Sequence, residues 1–179
     1  PYTTLFRSKI DLNKTDGDAK YIEASKLLNE WIDNEILIQE DRESIYPYYQ
    51  KFEFKGKNYE RVGIVALVKL CDFDEKVILP HEQTFSGPKA DRLKLMESCK
   101  TNISPIFGVY DNSDNKIEEI VHEHIKSNNP IIEAKSLDGI LNKIWKIDDE
   151  TILSHIAELF TSKEILIADG HHRYETSLN

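Results

Sequence analysis

The sequence predicts an α/β fold in which helices pack on a mixed β-sheet. After residue 100, short apolar segments alternate with amphipathic segments, as in layered folds of strands and helices. Before residue 100, an aromatic stretch over residues 45–54 and an apolar stretch over residues 59–70 flank the turn Lys55-Gly56-Lys57. Strands joined by so short a turn form an antiparallel hairpin. The hairpin therefore argues against a purely parallel sheet.

The remaining elements follow from the spacing of apolar residues along the chain. Residues 1–17 are polar and irregular, and a helix is expected from Ala19 to Ile36 because its apolar residues recur at helical spacing. After the hairpin we expect helix 89–99, strand 105–110, helix 116–126, strand 131–132, strand 140–147, helix 151–160 and strand 165–168. The run Asp148-Asp149-Glu150 is expected to cap the helix that follows it. The apolar centres of strands 105–110 and 165–168 predict that both are buried.

Composition and charge are those of a globular protein. The 179 residues are 40% hydrophobic and 31% charged, and the net charge is −9 at pH 7. This acidic balance argues against nucleic-acid binding over the whole surface, because such binding requires a basic face. No apolar run reaches the length of a membrane span, and two separate cysteines fit a reducing compartment. We therefore predict a cytoplasmic protein without membrane contact.

The two ends of the sequence predict that it is a fragment. No Met precedes Pro1, and Asn179 comes only about two turns into the last expected helix. We expect one domain over residues 1–179, truncated at both ends, with 1–100 and 101–179 as its sub-regions.

The segment richest in chemistry follows the last strand and reads Asp169-Gly170-His171-His172-Arg173. An apolar run, an Asp-Gly pair and helix-forming residues predict a strand, a tight turn and a helix N-terminus. A helix N-terminus presents unpaired N–H groups and partial positive charge, and Gly170 lets a ligand approach the backbone. Together with the donors of His171, His172 and Arg173, the segment predicts a phosphate pocket. The alternative is a helix start whose histidines only cap and pack.

A second polar segment lies between a strand and a helix, at residues 79–89. His81 and Glu82 can act as acid, base or metal ligand. Lys89 and Arg92 are one turn apart on one helix face and can hold an anion. The alternative is a loop pinned by salt bridges. Loops that follow strands often carry function, so we expect this segment to join the site if the two segments meet in space.

Both segments resemble the signatures of a family of bacterial and archaeal proteins, the domain of unknown function 1015 family. The matching residues are 167–176 for one signature, and Pro80-His81-Glu82-Gln83-Thr84, Pro88-Lys89 and Asp91-Arg92-Leu93 for the other. Similar segments elsewhere are Phe6-Arg7-Ser8-Lys9-Ile10-Asp11-Leu12, Arg61-Val62-Gly63-Ile64-Val65-Ala66, Ser104-Pro105-Ile106-Phe107 and Leu141-Asn142-Lys143-Ile144-Trp145. The resemblance covers the whole chain in order. The family also has sequence before and after these residues, which implies the same truncation.

The turn is also similar to one in the ParB/sulfiredoxin-like fold, where a Gly-x-x-Arg segment at a helix start binds nucleotide phosphates. Gly170-His171-His172-Arg173 matches that segment. His171 stands where sulfiredoxins have their catalytic cysteine, which argues against sulfiredoxin activity, and the acidic composition argues against the DNA-handling role of ParB proteins. Kinases of free serine that use ADP or ATP carry a similar Asp-Gly-His-x-Arg turn. This last resemblance implies phosphoryl transfer.

The first functional hypothesis is a nucleotide-dependent phosphotransferase that acts on a small hydroxylated metabolite, with ATP or ADP and Mg²⁺. The groups expected to hold phosphate are Gly170, His171, His172, Arg173, Lys89 and Arg92. Asp169 or Glu82 is expected to hold Mg²⁺ or to take the proton of the substrate hydroxyl. The expected partners are a nucleotide and a small-molecule substrate.

Two alternatives stay open. Metal-dependent hydrolysis needs a cluster of metal ligands, and the candidates are His81, Glu82, Asp169, His171 and His172. A non-enzymatic, nucleotide-sensing module of the ParB type needs only the phosphate pocket. The sequence contains neither a Walker loop nor a Rossmann fingerprint, so the usual phosphate-binding motifs do not decide among the three.

Overall fold

A computed structural model of the chain describes residues 17–83 and 86–179. The predictions for residues 1–16, 84 and 85 fall outside this part of the chain. The described residues form two compact units, each of which is discontinuous in the sequence. Unit 1 takes the described residues of Pro1–Gln39, Leu70–Tyr110 and Glu164–Asn179, and unit 2 takes Glu40–Lys69 and Asp111–Lys163.

Five α-helices and seven β-strands are present in the described residues. In chain order the elements are α1 (Ala19–Asp33), β1 (Tyr46–Phe54), β2 (Lys57–Val65), a 3-10 helix (Phe73–Glu75), β3 (Ile78–Leu79), α2 (Ser86–Cys99), β4 (Phe107–Tyr110), α3 (Lys116–Ser127), β5 (Ile132–Lys135), β6 (Leu141–Ile144), α4 (Glu150–Phe160), β7 (Ile165–Asp169) and α5 (His171–Leu178). One sheet is mixed and the other is antiparallel. The predicted α/β fold with mixed strands is confirmed.

The three-stranded sheet of unit 1 has the order β3-β7-β4. The central strand β7 runs parallel to β3 and antiparallel to β4. Its buried residue Ile167 packs in a cluster with Cys71, Ile78 and Tyr174. The Tyr174 hydroxyl donates to the carbonyl of Cys71 over 2.7 Å and accepts the Cys71 N–H over 2.9 Å. Because Tyr174 lies in α5, these contacts fix α5 beside the end of β7.

Helices α1 and α2 pack together in unit 1 through Ala24, Leu28 and Cys99, which are all buried. The helical stripe of apolar residues thus forms part of a core, as its spacing predicts. The helix ends at Asp33, three residues before the predicted end. After it, the N–H groups of Asn34 and Glu35 donate to the carbonyls of Glu30 and Ile32. Glu35 adopts a left-handed conformation with a φ of +56°. This local turn stops the helix.

The four-stranded antiparallel sheet of unit 2 has the order β2-β1-β6-β5. Strands β1 and β2 pair along their whole length, which confirms the predicted hairpin. Buried apolar side chains of this unit lie in α3, in α4 and in residues 145–147 after β6. They are Ile117, Val121, Trp145, Ile147 and Ile156. The Asp149 carboxylate accepts the N–H groups of Thr151 and Ile152 at the start of α4. The predicted acidic cap is therefore confirmed.

Two strands that were predicted to be buried are largely exposed. In β7 only Ile167 is buried, and in β4 no residue is buried and Phe107 is 52% exposed. A short apolar run does not distinguish burial on one face from burial on two. Strand β2 also ends at Val65, five residues before its predicted end, and Leu67 is fully exposed. No helix in the described residues is both long and apolar enough to cross a membrane.

Candidate functional site

The turn after β7 places a helix start at the end of the central strand of unit 1. Gly170 has a φ of +103°, a conformation that residues with a Cβ rarely adopt. Its carbonyl accepts the N–H groups of Arg173 and Tyr174, both over 2.9 Å, so α5 begins at His171. The first turn of a helix carries partial positive charge because its leading N–H groups lack helical partners. The predicted strand, turn and helix are confirmed.

The Arg173 side chain folds back over this turn. A Cβ at Gly170 would lie 2.9 Å from the Arg173 Nε. One terminal nitrogen, Nη1, donates to the Ser104 hydroxyl over 2.7 Å and to the Pro105 carbonyl, while Nη2 contacts the Asp169 carboxylate. The Arg173 side chain is 24% exposed, whereas that of Asp169 is 74% exposed. Neutral acceptors therefore fix the guanidinium, and its carboxylate partner faces solvent.

The second polar segment reaches the same turn through His81. The His81 N–H donates to Nε2 of His171 over 3.2 Å, and the two rings are perpendicular with centroids 4.5 Å apart. The His81 Nδ1 lies 2.7 Å from the Ile167 carbonyl. A carbonyl only accepts, so Nδ1 carries a proton, and in the neutral ring the lone pair is on the His81 Nε2. The two sequence signatures, about ninety residues apart, thus meet within unit 1.

His171 is the most deeply placed residue of this group, with 1% of its surface exposed. Its Nδ1 lies 3.0 Å from a carboxylate oxygen of Glu82, whose side chain is 52% exposed. The contact has the distance of an ion pair but not the angle of a hydrogen bond, and among the described residues Nδ1 has no hydrogen-bond partner. A buried ring nitrogen without a partner is costly and calls for an explanation. One explanation is a ligand between the two side chains.

The structure brings some of the predicted site residues together and leaves others apart. His81, Glu82 and His171 each offer one metal-ligand atom, and these atoms lie within 4.8 Å of one another. The other two predicted hydrolase ligands, Asp169 and His172, are outside this group of described residues. The Asp169 carboxylate contacts Arg173 instead. His172 is half-buried in the first turn of α5.

The predicted anion-binding residues of α2 have different surroundings. The Lys89 ammonium pairs with the Glu175 carboxylate of α5 over 2.6 Å, and both side chains are partly buried. Arg92 is half-buried in the same helix. The Lys89–Glu175 pair joins α2 to α5, as the alternative of a segment pinned by salt bridges anticipates.

Sequence reasoning missed the groups that hold the site in place. Ser104 and the Pro105 carbonyl fix Arg173, the Ile167 carbonyl orients His81, and Glu175 binds Lys89. Two of these groups are backbone carbonyls, which every residue carries, so residue type gives no signal for them. The side chains lie 69 and 86 positions from their partners. At that separation no local spacing could have identified them.

Tyr174 fixes the position of α5 through the hydrogen bonds between its hydroxyl and the Cys71 backbone. Burial raises the pKa of its phenol above the ordinary value, although the hydrogen bond to the Cys71 backbone acts in the opposite direction. The phenol therefore stays protonated and keeps donating to the Cys71 carbonyl. This holds the start of α5 against the sheet at neutral pH.

Comparison with known proteins places the chain in a family. The profile of a family described as "Protein of unknown function (DUF1015)" matches residues 2–179. No curated protein and no solved structure matches the chain. Because the family match covers nearly the entire sequence, the chain belongs to the DUF1015 family.

Proposed function

We propose that this chain is a nucleotide-dependent phosphotransferase whose phosphate site is formed by Arg173 and the first turn of α5. The observation that carries the proposal is the guanidinium of Arg173, held by Ser104 and Pro105 beside the start of the helix. Its charge adds to the partial positive charge of the first turn. Guanidinium groups and helix starts are both preferred partners of phosphate oxygens.

The Asp169 carboxylate occupies the position that a phosphate group would take. Because its side chain is 74% exposed, its pairing with Arg173 contributes only about 0–1 kcal/mol. The guanidinium fork matches the oxygens of either anion, but a phosphate carries more charge than a carboxylate. Phosphate can therefore replace Asp169 at small cost. The Ser104 and Pro105 contacts keep Arg173 in place during the exchange.

Glu82 is suited to act as the base in such a transfer. Its exposed carboxylate lies beside the turn, 3.0 Å from Nδ1 of the buried His171. A substrate hydroxyl would give its proton to Glu82, and its oxygen would bond to the terminal phosphorus of ATP or ADP as the bridging bond to the nucleotide breaks. The nucleotide leaves with one phosphate fewer, and Arg173 stabilises charge on the group in transfer. Mg²⁺ would accompany the nucleotide through its phosphate oxygens.

Metal-dependent hydrolysis is the second candidate function. The observation that favours it is the convergence of His81, Glu82 and His171. A metal ion held there would activate a water molecule for attack on a bound phosphate ester or similar anionic substrate. A ParB-like nucleotide-sensing role uses the same phosphate site but makes no use of these three side chains.

Calorimetry with ATP, ADP and CTP in the presence of Mg²⁺ tests the phosphate site. Arg173→Ala should weaken nucleotide binding by about 10- to 150-fold, because it removes hydrogen bonds to a charged group worth about 1.5–3 kcal/mol. Arg42→Ala, at an exposed position, is the matched control and should leave binding unchanged. Normal binding by Arg173→Ala, with circular dichroism showing an intact fold, would contradict the proposal.

Asp169→Asn also tests the phosphate site, but the expected change is an increase in nucleotide affinity rather than a decrease. If Asp169 competes with phosphate for Arg173, the amide should strengthen nucleotide binding several-fold, because it removes the competing charge. If Asp169 instead holds Mg²⁺ or takes the substrate proton, the variant should lose binding or turnover. The sign of the change distinguishes the two roles.

A further inference from the structure

We infer that His81, Glu82 and His171 form a binding site for one divalent transition-metal ion. Their three ligand atoms lie within 4.8 Å of one another. In a tetrahedral site with bonds of about 2.1 Å, neighbouring ligand atoms are about 3.4 Å apart. The Glu82–His171 pair is already 3.0 Å apart, so the remaining ligand atoms need to approach one another by at most about 1.4 Å.

His81 is already oriented as a metal ligand. Its Nδ1–H donates to the Ile167 carbonyl over 2.7 Å, so the ring plane and the tautomer are set by the backbone of β7. The lone pair is left on Nε2. Metal-binding histidines commonly use one ring nitrogen for the metal and donate the other N–H to a carbonyl or carboxylate in this way.

His171 supplies the second, independent observation. It is buried to 99%, given its 1% exposure, and its Nδ1 has no hydrogen-bond partner in the described part of the chain. The nitrogen is next to Glu82, at 3.0 Å. A metal ion bound by both groups would satisfy the nitrogen and balance the carboxylate charge. It would thereby remove the cost of a buried polar atom left unpaired.

Metal binding at the His171 Nδ1 has a structural consequence. In a neutral ring the proton would then move to Nε2, which accepts the His81 N–H in this structure. Two N–H groups would face each other, so the His81 backbone must turn away. The bond to be lost is 3.2 Å long, at the weak end of the range for N–H donors. We therefore expect the ion to shift the turn at residues 81–82.

The donor set selects the class of ion. Two imidazole nitrogens and one carboxylate suit Zn²⁺, Co²⁺ or Fe²⁺, whereas Mg²⁺ and Ca²⁺ prefer oxygen ligands throughout. Three protein ligands leave at least one coordination position for water or a substrate oxygen, as in catalytic metal sites. The metal site goes beyond the proposed phosphate site, because it requires neither Arg173 nor a nucleotide. It supplies the ion that the second candidate function needs, in which Glu82 is a metal ligand rather than the base.

The test is metal titration of the whole chain, prepared without a histidine tag and treated with EDTA. Calorimetry with Zn²⁺ and visible absorption with Co²⁺ should each show one ion per chain, and the Co²⁺ spectrum should change as nitrogen ligands replace water. His81→Ala and Glu82→Gln should each weaken binding by about 100-fold or more, since changes even to outer ligands cost 10–100-fold. His81→Ala keeps the backbone N–H that His171 accepts, so the fold should be preserved.

The matched controls are His122→Ala and Glu118→Gln, which alter a histidine and a glutamate 3.8 Å apart on α3. Both should bind metal as the wild type does. Binding well below one ion per chain, or binding that His81→Ala and Glu82→Gln leave unchanged, would overturn the inference. Arg173→Ala should lose nucleotide binding and keep metal binding. If the wild-type chain binds nucleotide but no metal, only the metal site is ruled out. If it binds metal but no nucleotide, only the phosphate site is ruled out.

Discussion

Two groups of polar side chains, one in each unit, link strands or segments that are distant in the sequence, and they differ in how fully their atoms are bonded. In unit 2, the buried Gln50 donates from Nε2 to the Tyr48 hydroxyl and the Asn142 side-chain oxygen, both over 2.8 Å. Its own oxygen accepts from the Arg61 Nε over 2.7 Å. Both the donor and the acceptor ends of Gln50 are used. These contacts join β1, β2 and β6, so they hold the register of the sheet.

In unit 1, the group of His81, Glu82 and His171 is bonded only in part. His81 is oriented by a backbone carbonyl, but the buried Nδ1 of His171 lacks a hydrogen bond within the described residues, and Glu82 is half-exposed. The unit 2 group is complete without a ligand, whereas the unit 1 group becomes complete only when another atom joins it. Between these two groups, the difference lies in hydrogen-bond satisfaction, since both contain a buried polar side chain.

The largest effect on stability should come from the satisfied group. Gln50→Leu keeps the approximate size of the side chain and removes three hydrogen bonds. At about 1 kcal/mol each, the free energy of unfolding of unit 2 should fall by about 3 kcal/mol. Urea unfolding can be followed by the fluorescence of the buried Trp145 in a Trp31→Phe background, which reports unit 2 alone. Metal binding should be unchanged. A Gln50→Leu variant as stable as the wild type would show that these hydrogen bonds do not stabilise unit 2.

Tyr174→Phe should produce the next largest effect, now in unit 1. The substitution leaves the buried N–H and carbonyl of Cys71 without the hydroxyl that bonds both. We expect the free energy of unfolding to fall by about 2 kcal/mol, measured by urea unfolding followed through Trp31 in a Trp145→Phe background. Tyr59→Phe, at a 43% exposed position in unit 2 and followed through Trp145 in a Trp31→Phe background, is the matched control and should change stability little. Equal losses in the two variants would show that the Cys71 contacts contribute nothing.

Gly170→Ala separates backbone strain from the placement of Arg173. Both Gly170 and Gly139 have positive φ values, +103° and +86°, so alanine is strained at either position. At Gly139 the nearest atom, Lys135 Cε, is 3.9 Å from the new Cβ, whereas at Gly170 the Arg173 Nε is only 2.9 Å away. Each variant should lose about 1–2 kcal/mol of stability. Calorimetry should show weaker nucleotide binding for Gly170→Ala alone, because it displaces the guanidinium.

The local parts of this architecture could be predicted from sequence. The apolar run, the Asp169-Gly170 pair and the helix-forming residues after it specify strand, turn and helix through rules that act over a few residues. The β1–β2 hairpin and the Asp149 cap follow from similar short-range rules. The resemblance to DUF1015 over the whole chain is likewise confirmed.

The packing could not be predicted in the same way. That Arg173 is held by Ser104 depends on how β4 and β7 pair, and no local spacing encodes that pairing. The meeting of His81 with His171 depends on the parallel pairing of β3 and β7, for which a two-residue strand gives almost no signal. The exposure of β4 and β7 depends on which faces of the sheet the helices cover. All three are properties of the assembled unit.

Alkaline pH should weaken both units through Tyr174, which is buried, and Tyr48, which is half-buried. Burial raises the pKa of Tyr174 in unit 1 and of Tyr48 in unit 2 above the ordinary value of 10.0. A raised pKa means that the folded state favours the protonated phenol. The stabilisation is therefore complete below about pH 10 and is lost as the pH rises through the folded pKa. Urea unfolding between about pH 9 and pH 11 should show this loss, and Tyr174→Phe should make it shallower in unit 1.

The smallest stability effect should come from Glu82→Gln. The Glu82 side chain is half-exposed and its contact with His171 lacks hydrogen-bond geometry, so the free energy of unfolding should change by less than about 0.5 kcal/mol. The same variant should lose metal binding, whereas Gln50→Leu should lose stability and keep metal binding. A large stability loss in Glu82→Gln, measured through Trp31 as for Tyr174→Phe, would mean that the carboxylate holds unit 1 together. The incomplete bonding of His171 would then mark a structural contact rather than a ligand site.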